Sequence, residues 1–243
     1  MSPMKKHSLF ALLFLLAFSF GHSQNFFTKA DAFFKANVNS YGGVYYNAIK
    51  ANPSELNALV DMVANYNFSG ATKTTQKAFL INAYNVLVIK NVVDHYPIAK
   101  PLDVPGFFDK KKFNVAGMSL TLSDIENKKI RPVYKDARTH FALVCAAKSC
   151  PPIPNFAFMP SKLDAQLTAR TKKAVNNKYF IRVDNEKKSV KFSQIFEWYA
   201  EDFVAEAGDI LKYINKYRTT AIPASYSTGY YTYTWALNEK KSN

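Results

Sequence analysis

One continuous apolar run constrains this chain most: AFLINAYNVLVIKNVVDHYP, residues 78–97. It is apolar on almost every side, which predicts a buried helix that Thr75 caps and that ends near Asp94, before Pro97. Asn82 and Asn85 interrupt it. They stand about 60° apart around a helix axis, so both amides face the same side.

Two buried amides on one face need partners, because an unpaired amide costs a few kcal/mol in an apolar surrounding. One interpretation is structural: the amides bind backbone groups of a Pro-rich loop, such as residues 97–105 or 150–154. The other is functional: they line a polar pocket. The spacing leaves both open.

Residues 1–23 have the pattern of a secretory signal peptide. Lys5 and Lys6 precede an apolar run at residues 9–20, and small or polar residues follow before Gln24. The run is shorter than the about 20 residues that span a bilayer, and no Cys follows it for a lipid anchor. We expect an exported protein, periplasmic or extracellular, without a transmembrane anchor after cleavage.

The chain is basic, with a formal net charge of +14. Nucleic-acid-binding domains concentrate such charge on one element or patch. Here the lysines occur as pairs scattered along the whole sequence, which favours a solvated basic surface. We therefore expect no nucleic-acid partner, and a peptide, glycan or envelope component as the partner instead.

The remaining pattern predicts one α+β domain over residues 24–243, with a helix-rich N-terminal half and a small antiparallel sheet. Further helices are predicted at residues 26–34, 54–66, 123–130, 161–176 and 193–207, with Ser54 and Ser123 as N-caps. Hairpins are predicted at residues 112–122 and 179–193, and strands at residues 140–145 and 231–235. The strand HFALVC, residues 140–145, is expected to be central.

The segment RTHFALVCAAKSCPPIP, residues 138–154, holds both cysteines. In an exported protein Cys145 and Cys150 could form a disulfide if their Cα atoms come within about 7 Å. Cys145 could instead be a nucleophile, but on one strand His140 would lie about 16 Å from it. The spacing matches no common zinc site, so we predict no metal and no cofactor.

His140 needs partners for its ring nitrogens wherever it is buried. If it belongs to a site, its partners should come from outside its own strand. The candidates are Asn82 and Asn85 on the long helix, or Glu126 on the short helix before it. A carboxylate partner would hold one tautomer and raise the basicity of the imidazole, as a general base requires.

Four segments carry a family resemblance: KAFLINAYNVLVIKNVV, LTLSDIENKKIRPVYKDARTHFALVCAAKSCPPIP, KFSQIFEWYAEDF and YYTYTWALN. In this order they resemble the domain of unknown function 547 family. The resemblance implies that the marked positions are Asn82, Tyr84, Asn85, Glu126, Arg131, His140, Cys145, Ser149 and Pro151. Asn127 departs from the family pattern, which has His after the Glu. The resemblance implies no established activity.

A weaker similarity is to the cysteine-proteinase-like layout of papain and transglutaminase relatives, in which a helix offers a Cys and a strand offers the His. Asn82 occupies the position of that Cys. Two functions follow. One is a hydrolase or transferase acting on peptide or envelope polymer, with His140 and Cys145 catalytic and a binding set of Asn82, Tyr84, Asn85, Glu126, Arg131 and Ser149. The other is a non-catalytic binding or envelope-interaction domain.

Overall fold

The long helix predicted from the apolar run is the centre of the fold. The computed structural model describes residues 25–241, and the predicted signal peptide lies outside them. The helix, called α4, spans Lys73–His95 and is buried along most of its length. Its N-cap is Thr72, whose side chain accepts a hydrogen bond from the backbone of Thr75. The predicted cap was therefore three residues late, while the predicted end is confirmed.

Three helices pack against the N-terminal half of α4: α1 (25–37), α2 (Tyr46–Ala51) and α3 (Ser54–Ala64). Phe26 and Tyr66 contact Phe79 of α4, and the Tyr66 and Phe79 rings stack with centroids 3.9 Å apart. Ser54 does not cap α3. Its hydroxyl donates to the Asn52 side chain, and Pro53 occupies the N-cap position.

The first predicted hairpin is confirmed as β1 (Lys112–Val115) and β2 (Met118–Thr121). Its turn residues, Ala116 and Gly117, both have positive φ, at 50° and 79°. This is the two-residue turn whose twist matches that of the strands. Their N–H groups donate to the carbonyls of Val63 and Ala64, which end α3. The hairpin thus closes the C-terminus of that helix.

Three helical pieces follow β2 without a break: α5 (Leu122–Asp124), a π-helix (Ile125–Ile130) and α6 (Arg131–Tyr134). The N-cap is Thr121 rather than the predicted Ser123. The Thr121 hydroxyl accepts from the Asp124 N–H, and the Asp124 carboxylate accepts from the Thr121 N–H. The π-helix carries Glu126, and π-helical turns are frequent at functional sites.

The predicted central strand at residues 140–145 is wrong. Residues Ala137–Phe141 form a 3₁₀ helix, and a turn leads from it to Cys145. A short apolar run bounded by turn signals does not distinguish a buried strand from a buried helical turn. The separation of about 16 Å expected for His140 and Cys145 was calculated for an extended strand, so it does not apply here. The cysteine-proteinase-like layout also requires a strand at His140, and the structure has a 3₁₀ helix there.

The second sheet contains β3 (Ile181–Asp184), β4 (Ser189–Ser193) and β5 (Ser227–Tyr231). The predicted hairpin β3–β4 is confirmed, and β5 adds to β4 in parallel. The strand predicted at residues 231–235 ends at Tyr231. Across both sheets the α+β class is confirmed, including a small antiparallel pair. Helix α7 (Leu163–Val175) precedes β3 and confirms the helix predicted at residues 161–176.

The helix predicted at residues 193–207 is two helices, α8 (Ile195–Trp198) and α9 (Ala200–Ala207). Tyr199 breaks it because its ψ of 28° leaves the helical region. Helix α10 (Ile210–Tyr217) follows and was not predicted. Within the described range, 25–241, none of the helices combines the length and apolarity needed to cross a membrane.

The segment after β5, residues 232–241, ties distant parts of the chain together through its backbone. Leu237 donates to Ala99, Asn238 to Ala146 and Lys240 to Val44, with N···O distances of 2.8, 2.9 and 2.9 Å. The Tyr46 hydroxyl also donates to the Asn238 side chain at 2.8 Å. This C-terminal segment is therefore part of the core arrangement around α4.

Candidate functional site

Asn82 binds the backbone of one residue from both sides. Its Nδ2 donates to the Phe158 carbonyl at 2.8 Å, and its Oδ1 accepts from the Phe158 N–H at 2.9 Å. Nδ2 also donates to the Ala78 carbonyl one turn earlier in α4. The side chain is fully buried. Asn82 fixes the loop before α7 rather than offering its amide to a pocket.

Asn85 fixes the loop after the 3₁₀ helix in the same way. Its Nδ2 donates to the Ala142 carbonyl at 2.9 Å, and its Oδ1 accepts from the Val144 N–H at 3.0 Å. The pair therefore holds loop backbone, as in the structural interpretation. The loops are those at 142–144 and 158 rather than the Pro-rich loops at residues 97–105 and 150–154. A third buried amide of α4, Asn91, was not predicted, and its Nδ2 donates to the Phe107 carbonyl.

The 3₁₀ helix that carries His140 is anchored by Asp136. The Asp136 carboxylate accepts from the Arg138 Nε and Nη2, each at 2.9 Å, and from the Lys77 Nζ at 2.5 Å. Lys77 belongs to α4, and Arg138 also reaches Asp164 at the start of α7. Burial acts to raise the pKa of Asp136, but the hydrogen bonds from Arg138 and Lys77 outweigh it and lower this pKa to about 2.

The partner of His140 is Asp202 of α9. The His140 Nε2 and the Asp202 Oδ2 lie 2.7 Å apart, and the same oxygen accepts from the Arg131 Nε at 2.7 Å. The hydrogen bond to His140, followed by the one from Arg131, holds the pKa of Asp202 well below its usual range. Asn82, Asn85 and Glu126 were the expected partners of the ring. A carboxylate does hold it, but from an element 62 residues later.

Tyr199, between α8 and α9, covers the imidazole. The His140 and Tyr199 rings stack with centroids 4.0 Å apart and planes inclined by 27°. The Arg131 guanidinium lies 4.9 Å from the centroid of the same tyrosine ring. Asn127 accepts from the Arg131 Nη1 at 2.7 Å. The residue that departs from the family pattern thus helps to orient Arg131 toward Asp202.

His140 and Tyr199 border a pocket of about 140 Å³, which we call the Glu126 pocket. The described residues that line it include no Lys or Arg. Glu126, buried at 8% exposure, supplies the carboxylate. Burial first, and then the charge of Glu126 and a hydrogen bond to it, raise the pKa of both Tyr84 and Tyr199 above the usual range. The lining residues are Tyr84, Glu126, His140, Leu143, Cys145, Cys150, Ile195, Trp198, Tyr199, Tyr233 and Trp235.

Three aromatic rings form one wall of the Glu126 pocket. The Trp198 and Trp235 rings stack with centroids 6.0 Å apart, and Tyr233 lies 4.9 and 5.0 Å from them. Trp198 is 45% exposed, so this wall reaches solvent. The chain has two tryptophans, and both are here. The pocket therefore combines a buried carboxylate with an accessible aromatic face.

The structure pairs Cys145 and Cys150 as a disulfide with Cα atoms 6.5 Å apart. The Cys145 sulfur also lies 3.0 Å from the Tyr233 hydroxyl oxygen. A sulfur bonded in this way has no thiolate to offer, and the thiolate is the nucleophilic form of cysteine. In the disulfide-bonded protein Cys145 therefore lines the pocket without acting as a nucleophile.

We expect reduction of the folded protein to add two hydrogen atoms to its intact mass. The double variant Cys145→Ser, Cys150→Ser should unfold with a free energy lower by about 2 kcal/mol, because the bridge constrains a short loop of the unfolded chain. Mass spectrometry and urea titration measure the two effects. Alkylation of both sulfurs in the unreduced native protein would contradict the pairing.

The structure brings four of the eight predicted site residues together: Tyr84, Glu126, His140 and Cys145 line one pocket. Asn82 and Asn85 do not line it, and their amides bind loop backbone instead. Arg131 does not line the pocket, but it donates a hydrogen bond to Asp202, the partner of His140. Ser149 accepts from the Thr234 N–H and lines a different cavity. The missed residues are Asp202, Trp198, Tyr199, Tyr233 and Trp235, all within the quoted segments KFSQIFEWYAEDF and YYTYTWALN.

Fold and site together define an α+β protein with a pocket in which a carboxylate and a carboxylate-held histidine face an aromatic wall. Residues 68–174 match the family described as Protein of unknown function, DUF547. The resemblance is confirmed over this segment, which holds the first two of the four quoted segments. Neither a curated protein nor a solved structure matches the chain significantly.

Proposed function

We propose that this chain is an exported binding domain whose Glu126 pocket takes an amine-bearing group of a peptide or envelope polymer. One observation carries the proposal: on a chain with a net charge of +14, the described lining of this pocket offers a carboxylate and no Lys or Arg. A carboxylate beside exposed aromatic faces suits an ammonium group, which the carboxylate attracts and the ring faces stabilise.

Arg131 lies within electrostatic reach of Glu126, but its charge is already balanced by the Asp202 carboxylate. Its guanidinium is already bonded to Asp202 and Asn127. His140 is bonded to Asp202 and covered by Tyr199, so it serves as a fixed wall that keeps the pocket open. The Cys145–Cys150 disulfide and the Tyr233 hydroxyl, which contacts the Cys145 sulfur, fix a further part of the lining. The geometry thus favours a rigid binding site over thiol chemistry.

The two tryptophans give a direct measurement, because both line this pocket. We expect a lysine-containing tripeptide with a blocked N-terminus to change the tryptophan fluorescence in a saturable way, and the same peptide with acetylated lysine to bind more weakly. Glu126→Gln keeps the shape and removes the charge. It should weaken binding by about tenfold or more, since a hydrogen bond to a charged group contributes about 1.5–3 kcal/mol.

Glu186→Gln is the matched control, since Glu186 is an exposed acid in the turn between β3 and β4. It removes the same charge from the protein and should leave the affinity unchanged. Equal affinities for the free and the acetylated peptide, or equal losses in both variants, would contradict a specific ammonium site.

A second candidate is the hydrolase or transferase, here with Glu126 and His140 as the acid–base groups. It is favoured by the presence of a carboxylate and a carboxylate-held imidazole in one pocket, the arrangement that general acid–base catalysis uses. Incubation with peptide or envelope polymer, followed by mass spectrometry, tests it. Products that form with the unaltered protein, but not with Glu126→Gln or His140→Ala, would replace binding by catalysis.

The export part of the proposal rests on residues 1–23, and cell fractionation tests it. The full chain should appear outside the cytoplasm with its N-terminus near Gln24. A chain lacking residues 1–23 should stay inside. An uncleaved chain in the cytoplasm would contradict export without affecting the pocket.

A further inference from the structure

A second cavity, of about 290 Å³, lies between α7, the β3 and β5 strands and the loop after Cys150. Four cationic side chains line it, and its described lining includes no Asp or Glu. We call it the basic cavity. Its lining residues are Lys148, Ser149, Cys150, Pro151, Pro152, Arg170, Lys173, Ala174, Asn177, Tyr179, Phe180, Arg182 and Tyr231.

Arg170 is the unusual member of this set. It is 6% exposed, and its Nη2 donates to the Pro152 carbonyl. Its Nε, also buried, has no hydrogen-bond partner among the described residues. Burial lowers the pKa of the guanidinium to about 10, so it remains charged at neutral pH. A buried charge without an opposite charge is unfavourable unless a partner arrives from outside.

The other cations of the basic cavity are also free of carboxylates. Arg182 lies 3.7 Å from the centroid of the Tyr231 ring and donates to the Tyr179 carbonyl. Among residues 25–241, no ion pair joins Lys148, Lys173, Arg170 or Arg182 to an acid. This differs from Arg131 and Arg138, which both bind carboxylates. Four uncompensated cations converge here, one of them buried with a spare donor.

We propose that the basic cavity binds a phosphoryl group carried by a small ester or by a lipid headgroup. A phosphate monoester carries nearly two negative charges at neutral pH and offers several acceptor oxygens. It can therefore bind guanidinium and ammonium groups at once and, with about twice the charge of a carboxylate, balance more of the four cations. The exposed Tyr179 ring at the rim leaves room for the group that bears the phosphate. This site is separate from the Glu126 pocket and does not depend on its function.

Calorimetry tests the proposal with the full chain and three probes at one ionic strength: pyrophosphate, glycerol phosphate and sodium chloride. Pyrophosphate and glycerol phosphate should bind, and chloride should not. Lys173→Gln and Arg182→Gln should each weaken binding by about tenfold, as expected for one lost hydrogen bond between charged groups. Arg170→Gln should abolish binding. If it does not fold, Lys173→Gln and Arg182→Gln still decide the result.

Lys187→Gln is the matched control, because its side chain is 80% exposed in the β3–β4 turn. It should change the affinity less than twofold. Vesicles of phosphatidylcholine with phosphatidic acid test whether the phosphoryl group belongs to a lipid headgroup or to a small ester. A lipid headgroup site gives sedimentation with these vesicles that Lys173→Gln weakens and Lys187→Gln does not. Binding that is the same for chloride and pyrophosphate, or that falls equally in all variants, would overturn the proposal.

Discussion

Replacing Asp136 by Asn is expected to lower the free energy of unfolding by about 3–5 kcal/mol, because it leaves the buried Lys77 ammonium without its anion and removes one of the two carboxylates that bind Arg138. Lys77 and Arg138 both bind this carboxylate, whose side chain is 11% exposed. Urea titration measures the loss. Asp164→Asn is the matched control: Asp164 binds the same Arg138 from an 86% exposed position and should contribute at most about 1 kcal/mol. Equal losses in the two variants would contradict the network.

The same carboxylate predicts a pH dependence. The pKa of Asp136 is lowered from 3.8 to about 2 in the folded protein. A lowered folded-state pKa means that the contribution is present above about pH 4 and is lost as the pH falls toward 2. The difference in stability between the unaltered protein and Asp136→Asn should therefore shrink over this interval. A difference that grows on acidification would contradict the assignment.

Asn85→Leu should be the second large effect, with a loss of about 2–6 kcal/mol. The substitution leaves the Ala142 carbonyl and the Val144 N–H buried without partners, and each such group costs about 1–3 kcal/mol. Asn57→Leu places the same change on an exposed face of α3 and should stay within about 0.5 kcal/mol. Thermal or urea unfolding measures the loss of stability in both variants, and equal losses would contradict the role assigned to the Asn85 amide.

Asn85→Leu should also disturb the Glu126 pocket, because the loop that Asn85 fixes leads directly into Cys145. The emission of Trp198 and Trp235 reports this, since both rings line that pocket. We expect a shift in emission at temperatures below unfolding. An unchanged spectrum together with unchanged stability would mean that the amide is not held as described.

The sequence predicted the parts of the fold that are local. The apolar run of α4, the Ala116–Gly117 turn and the β3–β4 hairpin all depend on residues within a few positions of one another. The strand at residues 140–145 failed because two backbone clamps from Asn85 hold that segment in a turn. The two hydrogen-bonded residues lie 57 and 59 positions from Asn85 in the sequence, and local periodicity cannot predict contacts at that separation.

The candidate site divides in the same way. The family resemblance marked Tyr84, Glu126, His140 and Cys145, and the pocket joins them. Asp202 was missed because the pairing with His140 depends on how α9 folds back across the 3₁₀ helix. The aromatic wall was missed because Trp198 and Trp235 meet only through tertiary packing. Their residue types suited a hydrophobic core equally well.

The C-terminal segment sets a time order for this chain. Residues 237–240 pair with backbone near residues 44, 99 and 146, and Trp235 completes the wall of the Glu126 pocket. During synthesis these early parts leave the ribosome long before the residues that close them. The surface of the N-terminal helices that the C-terminal segment covers must therefore stay exposed until nearly the whole chain has been synthesised. At about 5–20 residues per second, that interval lasts roughly ten seconds or more.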